Sequence, residues 1–491
     1  MNLISKNISY VLNAKTILND ISFQLNENEH LLLLGASGSG KTMLAKALAA
    51  QINYAGCLNF FQNNNEIKPI VTLVEQHYNY DQLSNDRVFY YQQRYTGFDA
   101  NEAITLAKSL AKYQATEVEI LLKEFNLLHL ANSPQQQFSS GEYKKSQLIK
   151  ALLQKPDVLI LDEPFVGLDV QTRQTLKERL TKLAQNGVTI IVICPPTDIP
   201  AFITNVAELD EGKLVQFSPL KDAQTTHIHP QHPLEYTPVP AFEVKQKFEQ
   251  IIRMKDVSVS YGEKQILKNI NWEVKQGEKW LLRGPNGAGK STLLSLINGD
   301  NPQAYANDVV LFDRKRGSGE TIWDIKSKIG HVSPELQWYF NTNTNVFQTV
   351  ASGLFDTIGL DHGLTTPQQK QVRNWLDAFG LETVAEAQLS SISAGMQRLT
   401  LLARAAVKCP PLLVLDEPCQ GMDELQKEHF LKLVSDLCQH DNCTLIYVSH
   451  YANEIPDCIS HVIELENGQA STKTIQEKTL EPTIKNSLKT A

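Results

Sequence analysis

Apolar residues in this chain gather into short runs, each closed by a glycine or an acidic pair, and the runs recur in the same order twice. His30-Leu31-Leu32-Leu33-Leu34 stops at Gly35, and Trp280-Leu281-Leu282-Arg283 stops at Gly284. Val158-Leu159-Ile160-Leu161 stops at Asp162-Glu163, and Leu412-Leu413-Val414-Leu415 stops at Asp416-Glu417. Apolar runs this short, bounded by turn residues, predict strands buried on both faces. Ahead of each glycine-closed run lies a β-rich stretch, Leu3 to Leu25 and Ile252 to Val274. Beyond it, long and mostly helical inserts (about His77 to Gln137 and Gln337 to Gln388) precede the acidic run. Strands alternating with helices predict an α/β chain with a parallel-sheet core and helices on both faces.

Lys41 and Lys290 stand about 250 residues apart, as do Asp162 and Asp416, so the chain is a tandem repeat of domain-sized units. Residues 1–217 form the first domain and 251–468 the second, joined by a linker at 218–250 and followed by a polar tail at 469–491. The linker is rich in Pro, His and Thr. His227, His229 and His232 have prolines among them and no neighbouring carboxylate or Cys, which favours a solvated connector over a metal site.

Composition narrows the partners. Across 491 residues, 42% hydrophobic and 20% charged, large soluble cores are available. Stretches such as Val188 to Cys194 and Pro411 to Leu415 fall far short of the roughly 18 to 20 apolar residues that span a bilayer, and no basic segment leads into an apolar run at the N-terminus. A cytosolic protein without its own membrane span is expected. A net charge of -8 speaks against nucleic acid as a partner. The seven cysteines show no CxxC pair and no disulfide framework, so they read as reduced buried thiols.

The glycine-closed runs open into Gly35-Ala36-Ser37-Gly38-Ser39-Gly40-Lys41-Thr42 and Gly284-Pro285-Asn286-Gly287-Ala288-Gly289-Lys290-Ser291. Both fit G-x-x-x-x-G-K-[ST]: glycines let backbone N–H groups close round phosphates, Lys reaches the β/γ oxygens and the hydroxyl ligates Mg²⁺. Chance alone gives this pattern on the order of 0.01 to 0.02 times in such a chain. Asp162 and Asp416 at the later strand ends are placed to organise the same Mg²⁺, with Thr42 and Ser291. Glu163 and Glu417 are placed to accept a proton from an attacking water.

Phe138-Ser139-Ser140-Gly141-Glu142 and Ile392-Ser393-Ala394-Gly395-Met396 precede the helices that lead to the acidic strands. With Pro164 and Gly167-Leu168-Asp169, and Pro418 and Gly421-Met422-Asp423, they resemble the signature and D-loop of ABC-type ATPases over about Met1 to Phe217 and Ile251 to Gly468. The resemblance implies two tandem P-loop ATPase domains, each a RecA-like parallel sheet with an N-terminal antiparallel β subdomain and a helical insert. It also implies ATP and Mg²⁺ as cofactors, in two sites of an intramolecular sandwich. Lys41, Thr42, Asp162 and Glu163 would be closed by Ser393 and Gly395; Lys290, Ser291, Asp416 and Glu417 would be closed by Ser139 and Gly141. Tyr10 and Tyr261 stand where the family stacks an aromatic ring on adenine, and each also fits plain core packing.

The two units depart from the family differently. Thr444 to Ser449 leads to His450, matching the switch histidine, whereas Thr189 to Cys194 leads to Pro195 and Pro196. Gln76 matches the Q-loop glutamine, whereas the second unit reads Val332-Ser333-Pro334-Glu335, leaving Glu335 or Gln337 as substitutes. Binding of MgATP is expected at both sites, with turnover dominated by the site of Glu417 and His450. Order, length and motifs are similar to those of the bacterial tandem ATP-binding proteins assigned to molybdate transport. That resemblance implies integral membrane transporter subunits docking near the helical inserts, a peripheral location on the cytoplasmic face of the inner membrane, and molybdate as cargo. The alternative is a soluble ABC ATPase acting in translation, DNA photorepair or regulation.

Overall fold

A computed structural model describes residues 1–475 except 13–14, 64, 76–104, 136–137, 139, 169, 223–238, 241–243, 245, 263, 335, 337–339, 341–343, 361, 421, 423, 440–441 and 450. They divide into two compact units at 230/231.

The first unit contributes β1 (Asn2–Leu12), β2 (Lys15–Leu25), β3 (Leu31–Leu34), β4 (Ala55–Gln62), β5 (Asn65–Ile67), β6 (Val71–Val74), β7 (Val158–Asp162), β8 (Thr189–Ile193), β9 (Asn205–Asp210) and β10 (Lys213–Pro219). A four-stranded antiparallel sheet has the order β2-β1-β4-β5, and a six-stranded sheet the order β10-β9-β3-β8-β7-β6. In the larger sheet all neighbours are parallel except β10 on β9. The strand β8 therefore lies between the strand feeding the phosphate loop and the acidic strand.

The second unit repeats this plan with β11 (Gln250–Tyr261), β12 (Lys264–Lys275), β13 (Lys279–Arg283), β14 (Asp308–Leu311), β15 (Arg314–Lys315), β16 (Ile329–Val332), β17 (Leu412–Asp416), β18 (Thr444–Val448), β19 (His461–Glu466) and β20 (Gln469–Thr474). Its sheets run β12-β11-β14-β15 and β16-β17-β18-β13-β19-β20.

Strand alternation sends successive side chains to opposite faces, and each unit accordingly has two cores. Leu32, Leu159, Leu161, Ile190 and Val192 pack on the face of the helical insert, with Leu106, Leu121 and Phe125. Leu31, Leu33, Val158, Ile160 and Ile191 face the antiparallel sheet and the helix Lys41–Leu48. Leu413, Leu415 and Leu445 oppose Leu412, Val414 and Ile446 in the second unit in the same way. Each such fully buried aliphatic side chain contributes roughly 1.5–3 kcal/mol.

Three boundaries differ from the sequence expectation, the first because β10 runs on through Ser218 and Pro219, assigned to the linker, paired with Val206 and Asn205 of β9. Gln469–Thr474, assigned to the polar tail, form β20 and pair antiparallel with β19 from Gln469 opposite Glu466 to Thr474 opposite His461. Their attachment comes from backbone hydrogen bonds, which a polar side-chain pattern conceals. In the linker, Val244 is buried in one core of the second unit and Phe248 packs on the other, so that stretch is part of the second unit's packing.

His30, at the start of β3, is buried, and its Nδ1 accepts the Ile190 N–H at 3.2 Å. Burial lowers its pKa from 6.5, and an imidazolium cannot accept that bond. The folded unit resists a proton that the unfolded chain takes up, so this stability is present above about pH 6.5 and falls as pH drops below it. His30→Gln is expected to flatten the fall of melting temperature between about pH 6.5 and 5. An equally steep fall in the variant assigns the acid sensitivity to carboxylates instead.

Candidate functional site

Each phosphate loop leaves its strand by passing over the neighbouring strand. Gly35 has φ +136, and a Cβ there would lie 2.1 Å from the Leu209 carbonyl oxygen of β9. Gly284 has φ +151, and its Cβ would lie 2.2 Å from the Leu465 carbonyl oxygen of β19. Neither the conformation nor the clearance admits a side chain. Gly40 and Gly289 precede the helices Lys41–Leu48 and Lys290–Ile297 in the left-handed region, with φ 101 and 104.

Inside the first loop, Lys41 Nζ donates to the carbonyls of Gly35 (2.7 Å) and Ala36 (2.8 Å). Lys290 Nζ donates to Gly284 (2.8 Å) and Pro285 (3.1 Å). Both ammonium groups are thus folded into the loop, next to helix N-termini that favour negative charge. Ser39 is buried, and its Oγ has no hydrogen-bond partner among the described residues. A glycine cradle holding a cation and an orphaned hydroxyl fits a polyphosphate. Ser37, Gly38, Asn286, Gly287 and Ala288 complete the two loops.

Asp162, at the end of β7, is buried, and its Oδ2 accepts the Thr42 hydroxyl at 2.7 Å. Burial raises its pKa, opposed by that hydrogen bond and by the charges of Lys144 and Lys41. A hydroxyl and a carboxylate in contact are the hard oxygen donors that suit Mg²⁺. In the second unit Asp416 ends β17 and is half-buried, and Ser291 is exposed at the start of its helix.

Glu163 and Glu417 both adopt positive φ, 49° and 43°, which costs a non-glycine residue about 1–3 kcal/mol. Their N–H groups donate to Ile193 O (2.9 Å) and Val448 O (3.0 Å). The strand beside each acidic strand therefore holds the carboxylate-bearing residue in a turn that it would not choose alone.

Among the signature residues, Ser393 caps the helix Ala394–Ala406, its side chain accepting the Met396 N–H, and Gly395 is buried. Gly141 is buried in the first turn of Ser140–Leu153. Gln76, Ser139 and His450 lie outside the described residues, as do Glu335 and Gln337. The residues just before Gln76 and His450 are described. Glu75 pairs with Lys46 of the loop helix at 2.8 Å. Ser449 donates to Glu454 at 3.3 Å, which pairs with Lys427 at 3.2 Å. Tyr261 is 39% exposed, and its hydroxyl accepts Asn301 Nδ2–H at 2.9 Å. Tyr10 is half-buried opposite Leu18.

Sequence reasoning passes over Lys144 and Arg398, each five residues after its signature serine. Both are buried. Burial lowers the Lys144 pKa to about 8 against the pull of Asp162 and Glu163, and that of Arg398 to about 10 against Glu417, Cys419 and Asp416. Their equal spacing from Ser139 and Ser393 is the signal that could have found them.

The sequence model of the ABC transporter family matches residues 18–166 and again 267–420. The chain is similar to the ABC transporter ATP-binding protein ModF of Escherichia coli, 37% identical over 464 residues, with 90% of this chain and 92% of that protein covered. It is 30% identical over 476 residues to an uncharacterised ABC transporter ATP-binding protein of Schizosaccharomyces pombe, covering 92% and 95%. A solved assembly described as a model of ribosome-bound archaeal Pelota and ABCE1 shares the fold, with TM-score 0.60 at 16% identity over 96% of this chain and 78% of that one. The chain belongs to the ABC transporter family of ATPases, as a protein with two tandem ATP-binding domains.

Proposed function

We propose that this chain binds MgATP in both units and hydrolyses it to energise a membrane transporter. The observation that carries the ATPase chemistry is the Thr42–Asp162 hydrogen bond of 2.7 Å, which brings a phosphate-loop hydroxyl and an acidic strand end to one point. Lys41 and Lys290 take the β/γ oxygens, Thr42 and Asp162, and Ser291 and Asp416, hold Mg²⁺, and Tyr10 and Tyr261 stack on adenine. Glu163 and Glu417 accept the proton of the attacking water.

Family membership supports the remaining assignments. Ser393 and Gly395 complete the site of Lys41, and Ser139 and Gly141 that of Lys290, with Gln76 and His450 as the Q-loop and switch residues. Turnover is dominated by the site of Glu417 and His450, because a lost contact to developing γ-phosphate charge costs a few kcal/mol. The domain assignment is 1–217 with Ser218 and Pro219 of β10 added, and 251–468 with Val244, Phe248, Gln250 and Gln469–Thr474 added.

The transport role is supported by the name of the Escherichia coli relative, and molybdate is the cargo implied by the resemblance. No helix among the described residues is long and apolar enough to cross a membrane. Spanning is therefore assigned to separate subunits, with this chain peripheral on the cytoplasmic face of the inner membrane.

Glu417→Gln is expected to lower steady-state ATPase activity at least 10-fold more than Glu163→Gln; equal losses refute the asymmetry. Glu417→Gln loaded with MgATP, used as bait on solubilised membranes, is expected to retain a multispanning protein. Recovery of ribosomes without any membrane protein overturns the transport role in favour of the soluble reading.

A further inference from the structure

Lys144 and Arg398 make the same connection in two different chemical forms. Lys144, in the first turns of Ser140–Leu153, donates from Nζ to the Glu75 carbonyl (3.2 Å) and to the Asp162 carbonyl (3.4 Å). Glu75 immediately precedes the Q-loop glutamine position, and Asp162 immediately precedes Glu163. Arg398, in Ala394–Ala406, donates from Nη1 to the Ser333 carbonyl (3.2 Å) and from Nη2 to Gln420 Oε1 (3.5 Å). Ser333 follows β16 as Glu75 follows β6. Gln420 closes the turn behind Glu417, its N–H donating to the Glu417 carbonyl at 3.3 Å.

A buried cation is costly to place and is retained where neighbouring groups compensate it. Both cations leave the helix that begins at the signature serine, and both end between the root of the Q-loop and the acidic turn. We propose that Lys144 and Arg398 are positioning residues that link the signature helix to the Q-loop root and the acidic pair of their own unit, so that movement of this helix sets the catalytic carboxylate. This inference rests on the ATPase reading above.

The link is made to the main chain at Glu75, Asp162 and Ser333 and to the Gln420 side chain rather than to the phosphate-loop lysines, so its loss changes the chemical step more than nucleotide capture. In the full-length chain, the double variant Lys144→Met, Arg398→Met is expected to lower kcat at least 10-fold with KM for ATP within about 3-fold of wild type. The swap Lys144→Arg, Arg398→Lys, which keeps both cations, is expected to restore kcat to within about 3-fold. Melting temperature and binding of a fluorescent ATP analogue report the fold and the loops independently. Should the methionine pair fail to fold, Lys144→Gln, Arg398→Gln is read by the same criteria. Wild-type kcat in the uncharged pair overturns the inference, as does a loss carried by KM alone or a swap as impaired as the uncharged pair. Absence of hydrolysis by the wild-type chain overturns the ATPase reading and the inference together, whereas intact hydrolysis in the uncharged pair overturns the inference alone.

Discussion

The hydroxyl of Thr42 and the carboxylate of Asp162 meet at 2.7 Å, and the first unit's parallel sheet is organised to make that meeting possible. Thr42 stands at the second position of a helix launched from β3, whereas Asp162 ends β7, with β8 between them. The start of the helix reaches Asp162 across that gap, while Gly35 lets the loop clear the Leu209 carbonyl of β9 on the other side of β3. The same topology lets β8 pin the Glu163 N–H through Ile193. One inserted strand thus serves both the Thr42–Asp162 pair, proposed to hold Mg²⁺, and Glu163, proposed to accept the proton of the attacking water.

The second unit repeats the frame while changing its supports. Lys46 and Glu75 tie the loop helix to the Q-loop root in the first unit, where the second carries Ser295 and Ser333 at the matching positions. The second unit instead anchors Tyr261 through Asn301 and braces the segment before His450 through Ser449, Glu454 and Lys427. In the first unit an ion pair between Lys177 and Asp198, at 3.2 Å, occupies the corresponding region. Two copies of one fold have therefore kept the same chemistry-bearing strand ends and rebuilt what stands behind them.

Most of this frame was legible in the sequence because backbone geometry ties it to spacing. Glycine at 35, 40, 284 and 289 answers a steric demand, and Lys41, Thr42, Lys290 and Ser291 follow at fixed intervals. The runs before Asp162 and Asp416 could only be strands covered on both sides. Other features depend on tertiary packing and leave no local mark. A lysine or arginine in the first turns of a helix reads as solvent-facing, yet Lys144 and Arg398 are buried. Nothing in the composition of Asp162-Glu163 or Asp416-Glu417 announces a left-handed glutamate, because the neighbouring strand imposes it. Gln469–Thr474 read as a tail because the backbone of β19 supplies what their side chains lack.

That last strand has a wider consequence. A parallel sheet that ended on β19 would offer a row of unmatched amides and carbonyls to any extended segment nearby. β20 covers this border, and with Lys473 among its exposed residues it presents an outer edge poorly suited to further recruitment. Six residues, of which Ala470 alone packs on a core, thereby cover an edge that the parallel sheet would otherwise leave open.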